Sequence, residues 1–418
     1  MVEMWLPYGN TEAVVRIPDE NLLGTIEPVA PSIASDAEAE LRRALGSPIG
    51  SSALDSLASP NDKVAIVVDD ATRRAPSTMM LKEILAVLTK SGVKEQNVTV
   101  IVGVGAHRPA TSDELTQIAS SFDGRIRVIS HDCNAKDLLH LGETSRGTTI
   151  DLNKDFVEAD LKILTGDIEL HHCAGYGGGR KSILPAIAGM RSAQQNHALL
   201  LDPRARSGVL KGNPISEDMD EAAGLASPDF ILNTVLDGKG RIIKAFAGNF
   251  QKAFLEGVAL VDKTWKVPMQ TKADVVIVSA GGKPQDLSLY QSCKALHNSL
   301  SALKEGGAVI LVAECREGHG NEVFYDWMSR FREADEMEKE IKSRFHLGGH
   351  MAYYLAKTIE KTKVYLVSTM PDTYVAGTFK LRPSRTVNAA LQSAFRALGK
   401  TAKVATMPYG SATLPTAS

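Results

Sequence analysis

Short apolar runs rich in valine and isoleucine recur along the chain, at 63–68, 98–102, 126–129 and 161–164. They are apolar throughout rather than alternating, the pattern of strands buried on both faces of a parallel sheet. Helical patterns at 79–89 and 112–121 separate them. Strand–helix alternation predicts an α/β fold. Over 263–273 the pattern weakens into what reads as a linker, then restarts with runs at 274–278, 308–312 and 364–367. These predict a second sheet. The charged stretch 332–342 reads as a solvated helix face, and the last dozen residues as a loose polar tail.

A chain of 418 residues exceeds what one hydrophobic core usually spans, which supports two domains meeting near residue 268. Each is expected to hold a mostly parallel sheet flanked by helices. The formal net charge of −2 gives no broad electrostatic reason for nucleic acid or an anionic membrane as partner. No apolar run approaches the roughly 20 residues that span a bilayer. The start Met1-Val2-Glu3-Met4-Trp5 has neither a basic beginning nor an apolar stretch, so no secretory signal is read there. Cys133, Cys173, Cys293 and Cys315 are widely spread and form no C-x-x-C. A disulfide framework or cysteine zinc site is therefore not expected, and a cytoplasmic location fits.

Candidate chemistry gathers where apolar runs end, as ligands of open α/β sheets sit at carboxyl ends of strands. The first such end is Asp69-Asp70-Ala71-Thr72-Arg73-Arg74. There Arg73 can grip a carboxylate through its fork, and Asp70 can orient it or a cofactor group. The second is Gly103-Val104-Gly105-Ala106-His107-Arg108, which has Arg108 where a dinucleotide fingerprint needs a third glycine. His107 is the stronger feature, as a proton-transfer group.

The densest segment runs from His171 to His197. Gly177-Gly178-Gly179 precedes Arg180-Lys181, and Ser182-Ile183-Leu184 reads as a helix start. Glycine N–H groups and a helix N-terminus together predict an anion cradle. Arg180 occupies the glycine position of a P-loop, which disfavours a Walker-type NTPase. Lys181 is then a phosphate ligand or a covalent anchor, with His171 and His197 on either side. His346 and His350 have metal-pair spacing, but Gly348-Gly349 interrupts the helix that pair would need. Further on, Tyr290-Gln291 and Lys294 lie on one helical turn and can meet an oxygen-rich substrate.

The ordered set Asp70-x-x-Arg73, Gly105-x-His107-Arg108, His171-x-x-Ala174-Gly175-Tyr176-x-Gly178-Gly179-Arg180-Lys181, Asn196-His197 and Tyr290-Gln291-x-x-Lys294 resembles the nickel-pincer lactate racemase family over nearly the whole chain. The resemblance implies a covalent nickel-pincer nucleotide (a pyridinium-3,5-bisthiocarboxylic acid mononucleotide holding nickel) attached at Lys181. Asp70, Gly178, Gly179 and Arg180 would help bind it, and His197 would ligate the nickel. His107 and His171 would be the paired acid/base residues, with Arg73, Tyr290, Gln291 and Lys294 on the substrate. The implied activity is inversion at C2 of a 2-hydroxy acid by transient hydride transfer, via a 2-keto acid. It also implies an N-terminal cofactor-binding and catalytic domain over 1–268 and a C-terminal domain over 269–399 closing over the substrate. The active site would lie in the interdomain cleft, and the tail, about 400–418, would pack back on the first domain. Separate cofactor-biosynthesis enzymes would supply the group. Arg74 and Arg108 add positive charge that would favour a second anionic group, as in malate. Other readings are a sugar-acid epimerase with the same cofactor, a zinc hydrolase built on His107, His171 and His197, and a non-catalytic cofactor carrier.

Overall fold

The computed structural model describes residues 1–418 except Ala30, Pro31, Thr72 and Ser418. The chain divides into two compact units, one of Met1–Val29 with Thr264–Ser418 and one of Ala30–Lys263.

The unit spanning 30–263 is built on a six-stranded sheet. Its spatial order is Ile242–Gly248, Phe230–Leu236, Leu161–Asp167, Val64–Asp69, Val98–Gly103, Arg127–Ser130. All neighbours pair in parallel except Phe230–Leu236 with Ile242–Gly248, which are antiparallel. The expected strands are all present. Val64, Ile66, Val68, Val100 and Ile163 are buried with Met80, Leu81, Ile84 and Leu88 of helix Ser77–Lys90. Each such side chain contributes about 1.5–3 kcal/mol by leaving water. The chain moves outward from Val64–Asp69 through Val98–Gly103 to Arg127–Ser130. It then returns to place Leu161–Asp167 on the other side of Val64–Asp69. The carboxyl ends of those two central strands therefore flank a topological switch point, where open α/β sheets bind ligands.

The other unit carries a six-stranded, all-parallel sheet. Its order is Arg382–Ser384, Lys363–Val367, Leu303–Val312, Ala273–Ser279, Val404–Met407, Leu22–Thr25. A hairpin of Val2–Tyr8 and Thr11–Ile17 turns at Gly9-Asn10, a pair suited to a tight loop because Gly9 takes φ 55°. Its Leu6, Val15 and Ile17 join Val275, Ile277, Ile310 and Val404 in one core.

The domain expectation differs from this partition in two places. Residues 1–29 lie with the C-terminal unit, because Leu22–Thr25 pairs with Val404–Met407 and the hairpin is buried on that sheet. The tail lies in that unit too, where Leu414–Ala417 pairs in parallel with Lys266–Met269. That pairing also turns part of the expected linker into a strand, and helix Lys252–Trp265 covers its start. The expectation for 332–342 agrees with helix Ala334–Ser343, which buries Ala334, Met337 and Ile341. No helix among the described residues is long and apolar enough to cross a membrane.

Candidate active site

Asp69 ends its strand and Asp70 follows it, with Arg73 beyond; Thr72 of that motif lies outside the described residues. The Asp70 carboxylate accepts a 2.7 Å hydrogen bond from His107 Nδ1. That bond fixes the His107 proton on Nδ1 and puts the lone pair on Nε2, while the carboxylate steadies the ring when it gains a second proton. Asp70 is 9% exposed and His107 31%, so the pair is partly screened from water with its ring reachable. Asp70, expected to position a cofactor, holds the His107 ring.

Arg73 stands among carboxylates, with Nη1 3.6 Å from Glu169 Oε1. Desolvation pulls its guanidinium down, but Glu169, Asp69, Asp167 and Asp70 outweigh that and hold it above its ordinary range. Burial pushes Asp69 up to about 6, against the pull of Arg73. Burial also raises Asp167 well above the usual carboxylate range, helped by Glu169 and Asp69. The two central strand ends therefore hold a cation within a cluster of carboxyl groups, two of them shifted toward the protonated form.

The segment from Leu170 to Lys181 does not form the predicted cradle. Leu170–His171 pairs antiparallel with Gly175–Tyr176, a tight hairpin with His172, Cys173 and Ala174 at its tip. Beyond it Gly177 N–H donates to the Glu169 carbonyl at 2.8 Å and Gly179 N–H to Asn233 Oδ1 at 2.9 Å. Two glycine donors expected to hold an anion are spent on the protein. Gly178 and Gly179 serve the turn instead, at φ 76° and 54°. The expected helix start is also absent: Gly179–Ser182 is a single 3₁₀ turn, and the next helix is Met190–Ala198. Arg180 is a further correction. It is 1% exposed, paired with Asp220 at 3.1 Å, donating to Ser216 Oγ at 2.9 Å and lying over the Phe254 ring. Its guanidinium braces the interior through these contacts.

Lys181 lies in that 3₁₀ turn. It is half-buried in surface terms, yet burial around its amine lowers the amine to about 7, with Arg73 adding to the effect against Cys173, Glu169 and Asp69. An amine in this state is about half neutral at pH 7, and to that extent nucleophilic. His197 sits in the last turn of its helix and donates Nδ1–H to the Ala193 carbonyl at 2.8 Å. The Nε2 lone pair is thereby the one presented, as metal-binding histidines commonly arrange it. Burial lowers His197 to about 4, and the charges of Lys181 and His107 add to this. The structure thus brings His107, Lys181 and His197 into one electrostatic neighbourhood.

His171 is wired in the opposite sense from His107. Its Nδ1 accepts the Ala174 N–H at 3.2 Å, so the neutral ring carries its proton on Nε2. Cys173 Sγ lies 3.6 Å from the same nitrogen, and the His172 ring stacks on His171 with centroids 4.6 Å apart. Burial raises the Cys173 thiol to about 11, and Lys181 opposes this.

The fingerprint-like Gly103 and Gly105 have a packing role. A Cβ at Gly103 would come 2.8 Å from Ala186 Cβ, and Gly105 N–H donates to the Ala186 carbonyl at 2.9 Å. These glycines let the stretch after Lys181 lie against the strand end that carries His107. Arg108 places its fork on Glu114 at 2.6 and 2.8 Å, and Arg74 Nη1 donates to the Gly238 carbonyl at 3.0 Å. The expectation that they grip a second anion therefore fails for Arg108, whose donors face a carboxylate of its own. In the other unit, Ser288 caps helix Leu289–Ser299, with Tyr290 edge-on to Phe324 and His350. Gln291 is exposed and Lys294 half-buried on that helix. Sequence reasoning missed Asn233, which secures the glycine turn; its signal was an amide in the otherwise apolar run 230–236.

Strand-end histidines and a perturbed lysine at the switch point of a parallel sheet define an α/β enzyme. Residues 8–208 match the family model described as Lactate racemase N-terminal domain, and 269–414 that described as Lactate racemase C-terminal domain. The chain is 34% identical to a lactate racemase of Thermoanaerobacterium thermosaccharolyticum, covering 98% of each chain. It is 31% identical to a lactate racemase of Lactiplantibacillus plantarum, covering 98% of this chain and 99% of that one. The solved lactate racemase apoprotein from T. thermosaccharolyticum superposes with a TM-score of 0.91 at 33% identity, covering 99% of this chain and all of that one. A Thermotoga maritima protein at 17% identity and TM-score 0.65 shares the fold alone. The chain belongs to the lactate racemase family and is an isomerase of the racemase kind. That membership disfavours the zinc hydrolase. Its His107, His171 and His197 also form no close three-donor set among the described residues.

Proposed function

We propose that this protein racemises lactate or a closely related 2-hydroxy acid, with a nickel-pincer nucleotide joined to Lys181. The observation that carries the reading is the Lys181 amine, brought to about 7 beside a histidine that presents Nε2. A neutral amine is what a covalent tether requires, and a neutral imidazole is what nickel ligation requires. When bound, the nucleotide would supply a hydride-accepting centre.

The protein's own groups supply the rest. Arg73 stays charged and offers its fork to the substrate carboxylate. His107, held by Asp70, takes the hydroxyl proton at Nε2, and Asp70 stabilises the resulting imidazolium. His171 would give a proton from Nε2 only as the imidazolium, with Nδ1 protonated and released from the Ala174 N–H. Inversion needs a group that accepts and a group that donates, and the two rings are the pair proposed for these roles. Lys294, Tyr290 and Gln291 are proposed as further substrate contacts. All four cysteines are free and buried, which supports a reducing cytoplasmic setting.

The test is full-length protein from a host that makes the cofactor, analysed by intact mass and nickel content, then assayed on D- and L-lactate by chiral chromatography. A mass adduct mapped to Lys181, nickel lost in His197→Ala and inversion lost in Lys181→Ala are expected. Inversion at full rate by Lys181→Ala overturns the reading. Malate, phenyllactate and gluconate in the same assay define the substrate and separate racemase from sugar-acid epimerase.

A further inference from the structure

We propose that His171, His172 and Cys173 form a second metal site, for a zinc-class divalent ion, distinct from the nickel ligand His197. One donor atom from each of the three residues lies within 4.8 Å of the others. The hairpin creates this juxtaposition. His171 pairs with Gly175, so the chain reverses over three residues and stacks the two imidazoles beside the thiol. The His171 Nδ1 to Cys173 Sγ separation is 3.6 Å. Zinc bonds of about 2.0 Å to nitrogen and about 2.3 Å to sulfur, at a tetrahedral angle, hold two such donors roughly 3.5 Å apart. The spacing thus already suits a shared ion.

The donor set is also chemically apt. One thiolate and two imidazoles favour zinc or cobalt over magnesium or calcium. The histidines are half-buried and give an ion a way in, while Cys173 is 2% exposed and shielded from competing thiol chemistry. Binding balances simply: Cys173 releases its proton to solvent, the metal–sulfur bond forms, and the ion displaces the Ala174 N–H from the His171 lone pair. Nothing is oxidised or reduced. The consequence rests on the function proposed above: a metal on His171 Nδ1 keeps that ring from becoming the imidazolium that gives a proton, so the site acts as a brake on inversion.

The test is titration of the full chain, free of nucleotide, with cobalt(II) as the probe. Expected are one equivalent bound and a near-ultraviolet sulfur-to-cobalt charge-transfer band. Cys173→Ser should abolish the band, and His172→Asn should weaken binding at least about tenfold. His197→Ala should bind cobalt as the parent does. A parent spectrum with no thiolate band overturns the proposal, as does a band that persists in Cys173→Ser or is lost in His197→Ala. Should Cys173→Ser misfold by circular dichroism, X-ray absorption of the zinc-loaded parent decides, with one sulfur at about 2.3 Å expected and no sulfur ligand refuting it. None of these readouts needs a loaded enzyme, so failure here is separable from failure of the racemase reading.

Discussion

The lowered Lys181 amine makes a quantitative claim about reactivity. At pH 7.5 an amine titrating at about 7 is about three-quarters neutral. An ordinary lysine near 10.4 is only about 0.1% neutral, a difference of about 600-fold. A less basic nucleophile is intrinsically slower. With a Brønsted sensitivity of about 0.45, as for thiols, the loss is about thirtyfold, leaving a net advantage of roughly twentyfold. Full-length protein without nucleotide can be pulsed with a small acylating reagent across a pH series and mapped by peptide mass spectrometry. Lys181 should acylate with a midpoint near pH 7, while exposed lysines keep rising toward pH 10. Arg73→Ala, which removes a neighbouring positive charge, should move the midpoint upward. Stability gives a second reading of the same shift. Between pH 7 and about 10.4 the unfolded chain keeps a proton that the folded chain has shed, so stability rises with pH through that window. Below pH 7 both states are charged and this contribution is constant. Lys181→Met should flatten the rise. A Lys181 midpoint near 10 would refute the argument that its surroundings expel the charge.

Three further outcomes are expected. Asp70→Asn in cofactor-loaded protein should lower kcat by about 10²–10⁴ with an unchanged melting temperature, because the amide holds the wrong His107 tautomer; chiral chromatography reads this. Gly175→Ala should destabilise by at least about 2 kcal/mol in urea titration, since Gly175 takes φ 78° and a Cβ there would sit 2.1 Å from the Val209 carbonyl oxygen. Arg108→Gln should leave the lactate-to-malate rate ratio and the melting temperature essentially unchanged, because Glu114 occupies its exposed fork; a selective loss of malate turnover would restore the second-anion idea.

Both sheets were legible because their strands are continuous apolar runs, and such runs have few other uses in a soluble chain. The strand-end residues Asp70, Arg73 and His107 were legible for the same reason, since the run marks where the loop begins. What escaped depends on partners distant in sequence. Leu22–Thr25 is short and half exposed, and only pairing with Val404–Met407 makes it a strand. The glycine turn invited an anion-cradle reading because sequence shows the donors but not their acceptors, Asn233 and the Glu169 carbonyl. Arg180 carries the same lesson: beside a lysine it reads as part of a site, yet Asp220, Ser216 and Phe254 draw it inside.

The pairing of Leu22–Thr25 with Val404–Met407 sets a schedule for biosynthesis. The hairpin and Leu22–Thr25 are made before residues 30–263, but Val404–Met407, which pairs with Leu22–Thr25, only after them. Residues 30–263, a self-contained unit looped out between the two halves of the other, can collapse during that wait. Until Ala273–Ser279 and Leu303–Val312 have been made, Leu6, Val15 and Ile17 have no sheet to cover them. Nascent chains stalled after residue 263 should therefore carry a sticky, uncovered hairpin and recruit chaperones, whereas released chains that include Val404–Met407 should not.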